Sequence, residues 1–250
     1  MKIYDNKLLG RSPSNIEVPY QDKDSLDLYQ KNLDKSSHNW IYRTEQISYN
    51  YNSFGHRCKD IAELNFDNYI LVAGCSHTEG IGIKLENSYP FILSKMLNCD
   101  YYNLGLGATG LDVLLYNITI WFTQINKLPK ALIIQWPDIS RSIIGRDENN
   151  FQPVGIWNND EDVQRFILDA DAISFFDARK ILTLGLIESL VKVPIINLSI
   201  ANLKPVHPNP IIGKVVDYGR DLAHPGILSH LLFAKSIHQY MINTDCLNFI

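Results

Sequence analysis

Short apolar runs that alternate with helical patterns constrain the fold of this chain most strongly. The first run, "NYILVAGC" at 68–75, contains β-branched residues and is typical of a strand buried on both faces. Similar runs lie at 101–107, 130–136 and 192–199, and helical patterns lie at 87–98, 109–126, 160–191 and 224–243. Strands that alternate with helices predict one three-layer α/β/α sandwich around a parallel sheet, of the flavodoxin-like type.

The sequence before this α/β pattern has a different character. Residues 1–66 are polar, rich in Tyr and Asn and irregular, with extended pieces expected within 39–55. They predict an N-terminal extension that packs on a core domain formed by residues 67–250. Within that domain, residues 139–160 are expected to form a loop, and Pro225 is expected at the first position of the last helix.

Charge and cysteine content exclude several classes of function. The net charge is −4, so the chain lacks the basic surface that binds nucleic acid or an anionic membrane. We find no apolar run long enough for a membrane span and no signal peptide at the start, which favours a cytoplasmic location. The four cysteines show no metal-ligand spacing, so we expect reduced thiols and no metal or cofactor.

The ends of the predicted strands carry the residues of chemical interest. Ser76 follows the first strand, and residues 105–108 and 137–141 follow later ones, so they should meet at one edge of the sheet. A serine hydroxyl needs a base, and the base needs an orienting carboxylate. His224 and Asp221, three residues apart before the last helix, supply both. The alternative is that His224 caps the helix and Asp221 is a solvated loop residue.

Motifs at both ends of the domain resemble the SGNH/GDSL hydrolase family. The first block of that family, G-D-S-x-T-x-G, is matched by Gly74, Ser76, Thr78 and Gly80, and the last, D-x-x-H-P, by Asp221, His224 and Pro225. The glycine-bearing second block is similar to residues 103–110, where Asn103 is expected to hold the turn. The resemblance spans about residues 67–243. It implies an SGNH-type fold and a Ser76–His224–Asp221 triad.

Two departures from the family pattern affect this interpretation. Cys75 replaces the usual Asp of the first block, and "QWPD" stands where the third block has the Asn of the oxyanion hole. The resemblance then leaves the backbone amides of Ser76 and of Gly107 or Ala108 as oxyanion donors. Gln135 or the indole of Trp136 is a candidate substitute for the missing Asn; packing in the core or at the rim is the alternative.

Several neighbouring residues have more than one interpretation. His77 is expected to point away from Ser76 and to contact substrate at most, and Glu79 is expected at the rim of the site. Arg141 is a candidate contact for an anionic substrate group or a solvated loop cation. Cys75 is a less favoured nucleophile, because Ser76 occupies the family position.

The resemblance implies a serine esterase that hydrolyses a carboxylic ester through an acyl-enzyme. The substrate class it implies is a small-molecule or glycan ester such as an O-acetylated glycan. The alternative is a catalytically weak or inactive protein of the same fold that binds glycan or serves in structure or assembly. The missing Asn motivates that alternative. The sequence does not indicate the oligomeric state.

Overall fold

Short strands and helices alternate along the chain in a computed structural model, which describes residues 8–11, 14–125, 127–145, 151–155, 157–168, 170–200, 206–244 and 246. The strands are β1 (Ile16–Val18), β2 (Tyr49–Tyr51), β3 (Tyr69–Ala73), β4 (Asp100–Asn103), β5 (Leu132–Gln135), β6 (Ser142–Gly145), β7 (Phe151–Val154), β8 (Ile195–Ile200) and β9 (Ile211–Gly213). The helices are α1 (Leu26–Lys35), α2 (Ser76–Glu79), α3 (Tyr89–Met96), α4 (Leu111–Gln124), α5 (Glu161–Leu168), α6 (Ala170–Leu190) and α7 (Ile227–Asn243).

A five-stranded parallel sheet forms the centre of the fold. Its order is β4-β3-β5-β8-β9, and every neighbouring pair is parallel. Every residue of β3 and β5 is buried, as their apolar runs require. In chain order the five strands follow the flavodoxin-like arrangement 2-1-3-4-5, in which the order reverses between β3 and β5. Ligands bind beyond the carboxyl ends of the strands at such a reversal.

Two pairs of helices cover the sheet. Helix α3 packs against α7, and α4 packs against α6. Because strand–helix–strand crossovers are right-handed, the connections on either side of β4 place α3 and α4 on opposite faces. The side chains of Phe233 in α7 and Trp121 in α4 are fully buried in one apolar core with β3 and β5. The predicted three-layer α/β/α fold with a parallel sheet is confirmed.

Individual elements depart from the sequence prediction in four places. The segment 139–160 contains the antiparallel strand pair β6 and β7, and the fifth parallel strand, β9, lies in a segment not predicted to be a strand. The predicted helix 160–191 is two helices, α5 and α6. Pro225 is not at the first helical position, because it forms a bridge with Tyr218 and helix α7 begins after Gly226.

The segment 8–66 lies against the α/β core and contains a helix that the sequence did not predict. Ser25 caps α1 by accepting a hydrogen bond from the Leu28 amide at 3.2 Å. Leu8 belongs to the main apolar cluster. The amide of Leu9 donates to Oδ1 of Asn117 in α4 at 2.8 Å. Residues 1–7 of the predicted extension lie outside the described residues, and the division at residue 66 stays a prediction.

The described part of the chain was also compared with the requirements of a membrane span. None of its helices combines the necessary length with sufficient apolar character.

Candidate active site

Ser76 lies at the first position of α2, directly beyond the carboxyl end of β3. The chain turns sharply here through Gly74, where an added Cβ would lie 2.1 Å from Oγ1 of Thr78. Cys75 is the N-cap and has an extended backbone, so Ser76 begins the helix. Only 3% of Ser76 is exposed. The turn therefore holds the serine at the edge of the sheet with little of its surface exposed.

The loop between β9 and α7 brings Asp221 and His224 to Ser76. The Nε2 atom of His224 lies 2.9 Å from Oγ of Ser76, and its Nδ1 atom is hydrogen-bonded to Oδ2 of Asp221. The other carboxylate oxygen of Asp221 accepts hydrogen bonds from the amides of Ala223 at 3.1 Å and His224 at 3.0 Å. The structure thus brings together the nucleophile, base and orienting carboxylate that the two end motifs predict; their catalytic role stays a prediction.

The electrostatics of this pair determine which proton each group holds. Burial by itself lowers the pKa of His224, but the hydrogen bond and charge of Asp221 outweigh it and raise that pKa above 6.5. Burial likewise raises the pKa of Asp221, but bonding to His224 and to two amides holds it below 3.8. Asp221 is therefore ionised at neutral pH. It favours the tautomer in which Nδ1 carries the proton and Nε2 is free to accept one from Ser76.

The N-terminal segment supports the loop that carries Asp221. Arg220, the preceding residue, forms a buried ion pair with Asp24, with Nη2 to Oδ2 at 2.8 Å. Tyr49 donates to the same carboxylate and accepts a hydrogen bond from the amide of Gly82 at 2.8 Å. Gly82 has φ +85°, and a Cβ there would lie 3.1 Å from Oδ1 of Asp221. Glycine at this position therefore lets the turn after α2 pack directly against the triad loop.

Backbone amides at two places are available to stabilise an oxyanion. Among the described residues, no hydrogen bond uses the amide of Ser76 or of Ala108. Ala108 lines the cavity beside Ser76 and has φ +63°, a left-handed conformation that is costly for alanine. The sequence named the amide of Gly107 or of Ala108 as the second oxyanion donor. The choice of Gly107 is wrong, because its amide donates to Oε2 of Glu79 at 2.5 Å. Ser76 and Ala108 are the remaining candidates.

Glu79 is a buried anchor and not the rim carboxylate that the sequence suggested. It is fully buried in α2, and its Oε1 atom accepts hydrogen bonds from Nε of Arg11 at 2.6 Å and from the hydroxyl of Tyr51 at 2.7 Å. Burial raises the pKa of Glu79, but the charge of Arg11 and these hydrogen bonds bring it below 4.5. An ionised Glu79 therefore ties the serine helix to the N-terminal segment and to the turn at Gly107.

The two side chains considered as substitutes for the missing Asn are used elsewhere. Nε2 of Gln135 donates to the carbonyl of Trp136 at 2.7 Å, and its Oε1 atom lies 3.1 Å from Sγ of Cys75. The indole of Trp136 donates to Oδ1 of Asn197 at 3.0 Å. Gln135 and Trp136 are 0% and 1% exposed. Both side chains are buried and hydrogen-bonded inside the core, and neither lines the cavity beside Ser76, contrary to the sequence-based suggestion.

The second-block turn is held as the sequence predicted. Asn103 at the end of β4 accepts the amide of Gly105 at 2.9 Å and donates to the carbonyl of Thr78 at 2.9 Å. An added Cβ at Gly105 would lie 2.7 Å from Cβ of Thr78. The backbone at Gly105 therefore packs directly against the side chain of Thr78 in α2, and no residue larger than glycine fits there.

A small cavity of about 180 Å³ opens onto Ser76 and His224. His77 lies on its wall with its ring 5.6 Å from that of His224, edge to face, so it does not point away from the site. Burial and the charges of His224 and Arg141 lower the pKa of His77 to about 3, which makes it neutral. The other lining residues are Asp22, Lys23, Ala108, Arg141, Trp157 and Ala223. The sequence did not indicate Asp22, Lys23 or Trp157, which no motif contains.

Comparison with known proteins gives matches at the level of structure. No protein-family model and no curated protein matches the chain. Among solved structures, the fold is similar to an acetyl xylan esterase, Est2A, from the rumen bacterium Butyrivibrio proteoclasticus, at 13% identity, a TM-score of 0.47 and coverage of 72% of this chain and 64% of that one. It is also similar to a family two carbohydrate esterase from Clostridium thermocellum in complex with cellohexaose, at 15% identity, a TM-score of 0.47 and coverage of 75% and 66%.

A third similar structure comes from the group that the end motifs resemble. It is a member of the lipolytic G-D-S-L family from Veillonella parvula DSM 2008, at 12% identity, a TM-score of 0.43 and coverage of 70% of this chain and 98% of that one. The match spans slightly less than two thirds of the two carbohydrate esterase chains.

Proposed function

We propose that the protein is a serine esterase that hydrolyses small carboxylic esters. The observation that carries the proposal is the 2.9 Å contact between Ser76 Oγ and His224 Nε2, with Asp221 on the opposite ring nitrogen. A serine hydroxyl becomes nucleophilic when such a base accepts its proton. In the neutral ring, Asp221 selects the tautomer with the proton on Nδ1, and it stabilises the imidazolium that forms when His224 takes the serine proton.

The reaction follows from this arrangement in two halves. Oγ of Ser76 attacks the ester carbonyl while Nε2 of His224 takes the hydroxyl proton, and the carbonyl electron pair moves onto oxygen. The amides of Ser76 and Ala108 stabilise that oxyanion. The intermediate collapses, the carbon–oxygen bond to the alcohol breaks, and His224 returns the proton to the departing alcohol. Water then attacks the acyl-serine by the same route and releases the acid.

The dimensions and lining of the cavity favour a short acyl group on a polar alcohol. A cavity of about 180 Å³ accommodates an acetyl-sized group, and its lining includes the charged residues Asp22, Lys23 and Arg141. An O-acetylated glycan, the substrate class implied by the family resemblance, meets both conditions. We therefore propose acetyl esters of sugars as the first substrates to test.

A second candidate function is ligand binding with weak turnover on the same fold. It is favoured by the internal hydrogen bonds of Gln135 and Trp136, which leave the oxyanion to backbone amides. In that case the triad geometry is retained but the rate falls by about 10²–10³ for the missing side-chain donor.

Hydrolysis of 4-nitrophenyl acetate and of acetylated xylose by the wild type and by Ser76→Ala tests the proposal. We expect the wild type to release acetate from both and Ser76→Ala to match the buffer rate. Release of acetate at equal rates by both proteins contradicts the esterase proposal. Binding of the sugar ester without release by the wild type favours the second candidate.

A further inference from the structure

Arg141 has a main chain that is held in place and a side-chain Nη1 atom for which the described residues supply no hydrogen-bond acceptor. Its carbonyl accepts a hydrogen bond from Nη2 of Arg179 at 2.7 Å, and its amide donates to the carbonyl of Asp138 at 3.2 Å. Its carbonyl also lies so near Gly110 that an added Cβ there would be 2.2 Å away. The position of Arg141 beside the cavity is therefore fixed by α6, by its own loop and by the start of α4.

The guanidinium of Arg141 lies over the ring of Trp157, 5.1 Å from the centroid, and lines the same cavity as Ser76 and His224. Its Nη1 atom is buried, and within the described part of the chain it has no hydrogen-bond partner. A buried donor without an acceptor is costly, and more so when it is charged. An acceptor supplied by a ligand would remove that cost.

The charges around the cavity favour an anionic ligand. Lys23 lines the opening together with Arg141. The carboxylate of Asp22 also lines it and lies 3.5 Å from Nη2 of Arg11, an arginine that already pairs with Glu79. His77 is neutral, and its Nδ1 atom is buried without a partner among the described residues. The cavity thus presents two cations and a neutral imidazole beside one carboxylate, so its lining is positive overall.

We propose that Arg141, assisted by Lys23, binds a carboxylate carried by the ester substrate and so selects acidic esters. This inference rests on the proposed esterase function, since it places the carboxylate next to the ester that Ser76 attacks. Arginine suits this task because its planar fork can donate two parallel hydrogen bonds to a carboxylate while it stacks on an aromatic ring.

Two matched pairs of esters test the proposal, because the carboxylate can lie on the acyl side or on the alcohol side. The first pair is the 4-nitrophenyl monoester of glutaric acid against 4-nitrophenyl pentanoate, which have acyl chains of equal length. The second is O-acetylated methyl galacturonoside against O-acetylated methyl galactoside. At low ionic strength, we expect the wild type to prefer the charged member of one pair by about tenfold or more in kcat/KM.

The ratio of kcat/KM for the charged ester to kcat/KM for the neutral ester is then measured in variants, and it identifies the residue responsible for the preference. Arg141→Gln should abolish the preference, and Arg141→Lys should keep part of it because the charge remains without the fork. Lys31→Gln, which removes a cation from the exposed face of α1, should leave the ratio unchanged. A wild-type ratio near one in both pairs, or a preference that survives in Arg141→Gln, overturns the proposal.

A binding measurement separates this inference from the esterase proposal. Ser76→Ala cannot turn over an ester, so in a calorimetric or NMR titration it should bind the charged member of one ester pair about tenfold more tightly than the neutral member. Tighter binding of a charged member without any hydrolysis by the wild type supports the carboxylate site and contradicts the esterase. Hydrolysis by the wild type with no preference for the charged member of either pair, in rate or in binding, overturns the carboxylate site and leaves the esterase standing.

Discussion

The two sides of Ser76 differ in the groups that form them: side chains on the side of the base, and backbone amides on the side of the proposed oxyanion. On the base side, His224 and Asp221 lie in one loop and form side-chain hydrogen bonds in series, and two amides fix the Asp221 carboxylate. On the oxyanion side, the side chains nearest in sequence to the missing Asn, Gln135 and Trp136, are bonded within the core. In the proposed mechanism, that side depends on the backbone amides of Ser76 and Ala108.

For the proposed ester hydrolysis, this difference predicts which step the protein should perform well. Proton transfer depends on groups whose positions and protonation states the structure fixes in advance. In the proposed mechanism, two amides stabilise the developing negative charge, and the turn that carries Ala108 is held by Glu79 through Gly107. We therefore expect efficient activation of Ser76 together with modest stabilisation of the tetrahedral intermediate.

The largest effect should come from the base side. Asp221→Asn is expected to lower kcat by about 10⁴, the cost of the equivalent change in the serine protease that serves as the general example of a triad. The reason is that an amide favours the imidazole tautomer with its proton facing Ser76. Because the carboxylate raises the pKa of His224, its loss should also move the acidic limb of the kcat/KM profile to lower pH.

The pH dependence of this variant separates a triad from a structural role of Asp221. His224 acts as a base only when neutral, so wild-type activity should rise with pH through a pKa above 6.5. An Asp221→Asn protein that keeps both its rate and its acidic limb contradicts the assignment of Asp221.

The dependence of kcat/KM on the leaving group should show how well the oxyanion is stabilised. We expect kcat/KM for an alkyl acetate to fall below that for an aryl acetate by about 10²–10³, the value of one oxyanion donor. An aryl leaving group departs more easily and so needs less stabilisation of the intermediate. Equally high values for both esters would show that a further donor completes the oxyanion hole. Ser76→Ala measured in parallel corrects for uncatalysed hydrolysis of the aryl ester.

A smaller effect should come from the anchor of the oxyanion turn. Glu79→Gln keeps the shape of the side chain but removes the charge that pairs with Arg11. A small displacement of the turn at Gly107 should lower kcat by about 10², with a lesser effect on KM, because positioning errors near 1 Å have effects of this size.

A control variant distinguishes this positioning from general loss of stability. Glu45→Gln also removes a paired carboxylate, that of the 2.8 Å contact with Lys84, but away from Ser76. It should leave kcat unchanged. Urea unfolding of both variants shows how much folded protein each assay contains. Equal rates for folded Glu79→Gln and wild type would remove Glu79 from the account of the oxyanion side.

The sequence predicts the base side better than it predicts the surroundings of the site. Ser76 and His224 stand in recognisable motifs at the ends of predicted elements, and parallel strands bring their carboxyl ends together. Asp221 lies within one turn of His224, so its contact is local. These three positions therefore follow from short-range spacing and from the sheet topology.

The supporting contacts depend on tertiary packing that no local pattern records. Arg11 and Glu79 are 68 residues apart, and Asp24 and Arg220 are 196 apart. The irregular composition of residues 1–66 gives no periodicity from which their path over the core follows. One signal of such a contact was present in the sequence: Glu79 is a charged residue beside an apolar turn. A charged residue that is buried there requires a partner. The identity of that partner requires the fold.

The central claim, that the triad activates Ser76 as a nucleophile, is tested most directly by covalent labelling. Wild type, Ser76→Ala and Cys75→Ala are treated with a serine-directed organophosphonate, and the adduct is located by peptide mass spectrometry. Cys75 is fully buried with its thiol on Gln135, so its loss should leave labelling intact. We predict one adduct on Ser76 in wild type and Cys75→Ala and none in Ser76→Ala. An adduct on Cys75, or an unmodified Ser76 in the wild type, would contradict the claim.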